Sequence, residues 1–491
     1  MNLKNAAYYQ KDINHFTDVV KGNLHKLSVP LENSVGMVPD PFCNSLPYDK
    51  QVTYGIANQN PDQDPSKNLS RAVATYAVGG MGTHWTCSVP RTHPTLERSS
   101  LISNEEWESL YEEAERYLMM THNAFNHSIR QTEYVELVDP NNKPQNLPLS
   151  IHRSEQNFTF YKWGSAAFVL GEYATQSAVD DAENPEEQPM GSRRFVIKEQ
   201  HICRRLVFNE NEPTKIQYAV VENLLHRTFM KVHAKKFVVC GGTVLGAQLL
   251  YASNIRPRAL GRYLTEKHLA VCQVLLSSDK IGSIRDDPRF KHDLEKYHKL
   301  HPKDPVPIPL DDPDPQCWIP VSSERRWHCQ IHRDPFAFGE TSSNFDPRLI
   351  VDFRWYGLVK QIAENRVTFS DENKDLFGMP QPTFHFEESA KFADQNQDML
   401  RDMVRATKIL GDYLPGSHPQ FMPPGTTLHM HGHTRVGDDP ETSVADSCSK
   451  VWGTDNLWIG GCGCIDTAIA CNTTLTACAL AIKAVKDSVL V

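Results

Sequence analysis

The chain has 491 residues, enough for two or more domains or one elaborate enzyme around a large core. Hydrophobic content of 40% and charged content of 23% are those of an ordinary globular protein, and no apolar run reaches membrane-spanning length. A net charge of −9 with scattered basic residues leaves no electrostatic case for nucleic acid.

Near the start, Ile13, Phe16, Val19, Val20 and Leu24 recur at helical spacing, which predicts one or two helices ending at Pro30. Met1-Asn2-Leu3-Lys4-Asn5 carries no apolar stretch of the secretory kind. Residues 31–70, rich in Pro, Asn, Asp and Gly, read as a loop-heavy connection. The glycines of Val78-Gly79-Gly80-Met81-Gly82 suit close backbone approach to a planar ligand, or equally a turn beside the aromatic Trp85. Ser103-Asn104-Glu105-Glu106 is a capping box, and Trp107, Leu110, Tyr111, Ala114, Tyr117 and Leu118 form the apolar stripe of a core helix.

Residues 147–230 alternate short strand-like runs with polar turns, and Arg194–Ile197 and Ile216–Val221 fit an antiparallel sheet. Lys236–Gly242 followed by Leu245–Leu250 is strand, glycine turn, helix. The proline- and charge-rich residues 280–320 predict exposed, extended chain. Ile350–Trp355 reads as a central strand. Glu388–Leu410 is a helix with Leu400, Met403, Val404 and Thr407 inward and Gly411 as its stop.

Close to the carboxyl end, Asn456–Ile459 is a short buried strand that runs into Gly460, Gly461 and Gly463. Asn472 is placed to cap a small-residue helix over Thr474–Lys486, whose N-terminus attracts partial negative charge. A histidine and an asparagine brought together here can take a proton from an alcohol and hold its oxygen. A separate reading makes a metal site of His429, His431 and His433, which would share one face of a strand and offer imidazoles to Zn or Cu. The 12 cysteines make no tidy disulfide framework, which suits a reduced compartment.

The stretches Leu428-His429-Met430-His431-Gly432-His433-Thr434-Arg435 and Asn472-Thr473-Thr474 resemble the carboxyl-terminal signature of the glucose–methanol–choline (GMC) flavin oxidoreductases, and among them the pyranose 2-oxidases. The family's Gly-Thr-His-Arg and Asn-Pro-Thr are reworded here, with His429 and Asn472 kept. Thr83-His84-Trp85-Thr86 and Gln330-Ile331-His332-Arg333-Asp334-Pro335-Phe336-Ala337-Phe338 are similar to two further family motifs.

The resemblance implies an α/β plus α+β chain with the GMC fold: an FAD-binding, Rossmann-like domain and a substrate domain built on an antiparallel sheet covered by helices. It places the FAD-binding domain at 1–90, 230–265 and 430–491, and the substrate domain at 91–229 and 266–429, with a shortened proline-rich arm near 280–320. His429 and Asn472 become the catalytic pair. Gly80, His84, Thr86, Cys203 and Gly461 fall on the flavin side, with covalent attachment at His84. Asp334, Phe336, Phe338 and Arg354 close over the sugar, Phe338 standing where the family has a tyrosine. The implied partners are a small sugar and dioxygen or a quinone, with a homotetramer as the family's assembly and no membrane. Such enzymes begin with a strand, a Gly-X-Gly-X-X-Gly turn and a helix. Neither Gly80-Met81-Gly82 nor Gly461-Cys462-Gly463 fits that context. The expectation is therefore a chain without the first βαβ unit, holding little flavin and prone to aggregate as written, with a flavin-free sugar-binding descendant as the alternative.

Overall fold

A computed structural model describes residues 24–27, 60–76, 78–83, 85–126, 128–132, 144–153, 161–165, 197–332, 345–375, 377–387 and 392–491. Its largest sheet has 7 strands, all paired antiparallel. In spatial order these are Gly411–Tyr413, Leu269–Leu276, Ile350–Gly357, Trp327–His332, Gln316–Ile319 and Gln145–Asn146, with Gln420–Phe421 also on Leu269–Leu276. Period-two alternation decides which side chains share a face. Ala270, Cys272 and Val274 lie beside Trp355, Phe353 and Val351, and these beside Cys329 and Ile331. That apolar face packs against Met399, Met403, Ala406 and Leu410 of the helix Ala393–Leu410. One carboxylate fastens helix to sheet: Asp402 accepts hydrogen bonds from the indoles of Trp327 (2.9 Å) and Trp355 (3.0 Å) and pairs with Arg325 (3.3 Å).

A second body of structure is built on the parallel pair Phe237–Val239 and Leu457–Ile459. The helix Thr243–Ala252 follows the first strand across the Gly241-Gly242 turn. Leu475, Ala479 and Leu480 of the helix Thr474–Ala484 share a core with Trp107, Leu110 and Tyr111 of Asn104–Tyr117. The Tyr111 hydroxyl is 3.0 Å from Thr476 Oγ1. Ser103 caps the Asn104 helix as its sequence predicts, accepting from the Glu106 amide at 3.1 Å. The strand Ile216–Asn223 is the middle of a three-stranded antiparallel sheet.

Three expectations change. Leu24–Lys26, predicted helical, is a strand antiparallel to Val73–Thr75, because tertiary pairing overrides a weak local preference. The stretch predicted to be exposed and extended contains the helices Ser278–Asp286 and Lys291–Leu300 and the strand Gln316–Ile319. Its acids are drawn inward by buried arginines: Asp304 pairs with Arg348 at 2.7 Å and Asp312 with Arg130 at 2.8 Å. The last helix starts after Thr473 and makes no side-chain cap, so Asn472 is not its N-cap. Residues 1–23, Arg194–Val196 and residues 388–391, for which the sequence predicts helix, strand and helix, lie outside the described residues.

Candidate active site

The second face of the large sheet is polar, yet it is not on the surface. His328, Gln330 and His332 alternate with the apolar residues of their strand, and all three are buried. Across the ladder Gln330 stands opposite Arg354 and His332 opposite Asp352, with Gln273 beyond, donating to Asp352 Oδ1 at 2.7 Å. Burying this many polar groups is costly unless something pairs with them. The face is therefore built to meet polar partners, and one is Asn472: Gln330 Nε2 donates to its Oδ1 at 2.8 Å.

Asn472 in turn reaches His429, its Nδ2 standing 3.3 Å from His429 Nε2. The two residues predicted to work together are in hydrogen-bond contact, although 43 positions separate them. Backbone pairing puts His429 there. Thr265 and His431 exchange both amide–carbonyl bonds, at 2.9 and 3.0 Å. Two residues on from Thr265, Lys267 reaches His429, two residues before His431, with Nζ 3.2 Å from Nδ1. The paired segments approach so closely at Gly432 (φ +92°) that a Cβ there would lie 2.3 Å from the Tyr263 carbonyl oxygen. Only glycine fits.

Burial dominates the electrostatics. It holds the His429 imidazole well below its usual range, with the Lys267 charge, His328 and His431 adding in the same direction. Burial likewise draws the Lys267 ammonium down to about 8, against the opposing pull of Cys471, Glu266, Glu97 and Cys462. The adjacent Glu266 carboxyl is pushed up by its burial. Both groups of that pair are biased toward their neutral forms. Lys267 also donates to the carbonyl of Cys471, so one side chain is tied to the histidine and to the residue before the asparagine. Lys267, Glu266, Gln330 and His328 were missed as site residues at the sequence level; the alternation Trp327-His328-Cys329-Gln330-Ile331-His332 was the available signal for two of them.

The three alternating histidines do not converge. His431 Nδ1 is 2.9 Å from the His429 carbonyl oxygen, and His433 Nε2 donates to the Thr243 carbonyl at 2.7 Å. Among the described residues no group of three His, Cys, Asp or Glu is arranged to hold a metal. Arg354 sits buried on the strand Ile350–Gly357, whereas His84, Asp334, Phe336 and Phe338 lie outside the described residues. Gly80 opens the 3₁₀ turn Gly80–Thr83, and Thr86 follows it, part-buried. Cys203, on the strand His201–Phe208, packs on the core that holds Phe237, Val239, Leu457 and Ile459. Among the described residues, no atom lies within 4 Å of where a Cβ would stand on Gly461 (φ +112°) or Gly242 (φ +79°), so there both turns offer bare backbone to a ligand. The helix Thr474–Ala484 starts without a side-chain cap, and Cys462, which follows Gly461, reaches Thr473 at that start, Sγ standing 3.4 Å from Oγ1.

Comparison with known proteins adds to this geometry. A family described as GMC oxidoreductase matches residues 362–481. The pyranose 2-oxidase of Tricholoma matsutake is 37% identical over 98% of this chain and 84% of its own length. That of Emericella nidulans is 35% identical over 99% of this chain and 83% of its own length. The C-glycoside 3-oxidase of Arthrobacter globiformis is 29% identical over 84% of this chain and 73% of its own length. Among solved structures, a formate oxidase superposes with a TM-score of 0.56 at 12% identity, covering 84% of this chain and 83% of the other.

Proposed function

The chain belongs to the pyranose 2-oxidase family of GMC oxidoreductases, and on that premise we propose how its residues oxidise a pyranose sugar to a keto-sugar with FAD and dioxygen. The contact between Asn472 and His429, beside the buried polar face of the sheet, carries the reading. His429, kept neutral by burial, takes the hydroxyl proton at Nε2. Asn472 holds the sugar oxygen and Gln330 holds the Asn472 amide in its orientation. Bound FAD supplies the hydride acceptor for the carbon that is oxidised.

The bare glycine turns at Gly242 and Gly461 fit such a planar group. We assign Gly80, Thr86, Cys203 and Gly461 to its binding, with His84 as its covalent attachment. Asp334, Phe336, Phe338 and Arg354 are assigned to the sugar, and a quinone to the role of a second acceptor. In this division 1–90, 230–265 and 430–491 form the flavin domain, and 91–229 with 266–429 the substrate domain. The meeting of Gln330 and Lys267 with Asn472 and its neighbour Cys471 supports a site between them. Neither a flavin-free binder nor the metal reading is favoured by any observation.

The test is flavin reduction and hydrogen peroxide release with a panel of pyranoses, for the natural chain and for His429→Asn. Loss of the general base lowers kcat by at least ~100-fold with bound flavin unchanged. Full turnover in His429→Asn rules out the assigned base. A denaturation-stable mass increment on the peptide holding His84 checks the covalent link.

A further inference from the structure

His429 is a base only if its proton sits on the correct nitrogen. Resting on the reading above, the question is which tautomer its neighbours enforce. A lysine ammonium has three donors and no acceptor, so beside it Nδ1 must accept. The neutral ring then carries its proton on Nε2, facing Asn472, and has no lone pair there for a sugar hydroxyl. A neutral Lys267 amine reverses this. Nδ1–H donates to Nζ, Nε2 keeps its lone pair, and a single chain of donors runs Gln330 to Asn472, Asn472 to His429, His429 to Lys267 and Lys267 to the Cys471 carbonyl, the Nε2 lone pair accepting from Asn472 until a sugar hydroxyl takes that place. Every link in that chain has a donor on one side and an acceptor on the other.

We propose that Lys267 is the second proton acceptor of the site, taking the Nδ1 proton of His429 as Nε2 takes the proton of the sugar hydroxyl. The O–H and Nδ1–H bonds break, and Nε2–H and Nζ–H bonds form. No electrons change hands in the step. One positive charge appears, on Nζ, balanced by the negative charge left on the sugar oxygen. The imidazole is neutral before and after.

The surroundings favour this placement of charge. Lys267 Nζ lies against the Cys471 carbonyl, and its other titratable neighbours are Glu266, Glu97, Cys471, Cys462, His328, His429 and His431. Glu97 is anchored by the amides of Ala470 (2.8 Å) and Cys471 (2.9 Å), so its carboxyl is fixed on the lysine's side of the site. The histidines, by contrast, oppose a charge on the ring. Burial lowers the proton affinity of Nζ, which favours the unprotonated amine. Lys267 acts through His429 and touches no substrate atom in this scheme; it is a positioning residue that also stores a proton.

Arginine and methionine separate this role from a structural one. Lys267→Arg keeps the charge and the donors but has no acceptor, and so locks Nε2–H at every pH. Lys267→Met removes both. In the flavin-loaded protein, the natural chain's rate of flavin reduction at saturating sugar rises with pH as Nζ deprotonates. Lys267→Arg lowers it by ~100-fold or more and abolishes that rise, with sugar KM little changed. Lys267→Met loses the same limb. A second readout needs no flavin: ¹⁵N-histidine spectra, with His429 assigned by its loss in His429→Asn. They show Nδ1–H above the transition in the natural chain and Nε2–H at all pH in Lys267→Arg. An arginine variant with the natural rate and profile, or with unchanged tautomer signals, overturns the proposal. Should His429→Asn alone prove fully active, the base assignment fails first, whatever Lys267 does.

Discussion

Gln330 fixes an amide that has two faces. With Gln330 Nε2 on Asn472 Oδ1, the Asn472 Nδ2 is the atom left to meet His429. Gln330→Leu removes that choice, and the expected outcome is a kcat about tenfold lower, the equivalent of one buried hydrogen bond at about 1.4 kcal/mol. Steady-state kinetics beside a thermal melt check it, the melt measuring separately the cost of leaving the buried Asn472 Oδ1 without a donor. At this scale the sequence was readable where a motif carried the residue, as for His429 and Asn472. It was unreadable where pairing does. Lys267 stands in Thr265-Glu266-Lys267-His268, a polar run in which local spacing singles out no residue. Only the backbone bonds between Thr265 and His431, nowhere visible in local spacing, turn that lysine inward to a histidine 162 positions away. The misreading of Asn472 as a helix cap has the same origin. Asparagine is a good cap by local rules, and here its side chain is committed to Gln330 and His429 instead.

The helix Ala393–Leu410 shows what one element contributes to a site it does not touch. Met399, Met403, Ala406 and Leu410 cover the apolar face of the sheet whose other face carries Gln330. Asp402 fixes the register of helix on sheet through two indoles and Arg325. Asp402→Ala takes the shared acceptor from both indoles and from Arg325, and breaking a buried ion pair of this kind costs about 3 kcal/mol. Urea unfolding monitored by tryptophan fluorescence checks the loss, with the m-value unchanged because the surface exposed on unfolding is the same. The body of this helix was legible from its 3.6-residue period, and Gly411 was legible as its stop. The reason for the glycine was not: a Cβ there would lie 2.0 Å from the Leu275 carbonyl oxygen, because the chain turns straight from helix into the sheet edge. The region 280–320 failed for the opposite reason. Its prolines and acids were read by composition, which cannot register that Arg348 and Arg130 wait inside the fold for Asp304 and Asp312.

Considered as a whole, the molecule gathers neutral imidazoles at its centre. His328, His429, His431 and His433 all have their proton affinity lowered, each chiefly by burial. The same burial that frees His429 to act as a base makes the molecule sensitive to acid. In the unfolded chain a histidine titrates near its ordinary value of about 6.5. In the folded protein His433 is pushed down to about 4 and His431 to about 3. Between those values the unfolded chain binds more protons than the folded one, so this part of the stability is complete above pH 6.5. It declines as the pH falls and is lost once the folded values are passed. His433 is fully buried, with Nε2 on the Thr243 carbonyl, and glutamine can donate the same hydrogen bond without titrating. His433→Gln therefore isolates its share. At neutral pH the variant is somewhat less stable, because a ring has been replaced in a packed site. As the pH is lowered toward 4 the natural chain loses about 3 kcal/mol that the variant does not, and the two melting curves converge and then cross. Calorimetry of both chains from pH 7 to pH 4 measures the difference directly. Parallel curves across that range would mean that His433 titrates at the same pH in the folded and the unfolded chain.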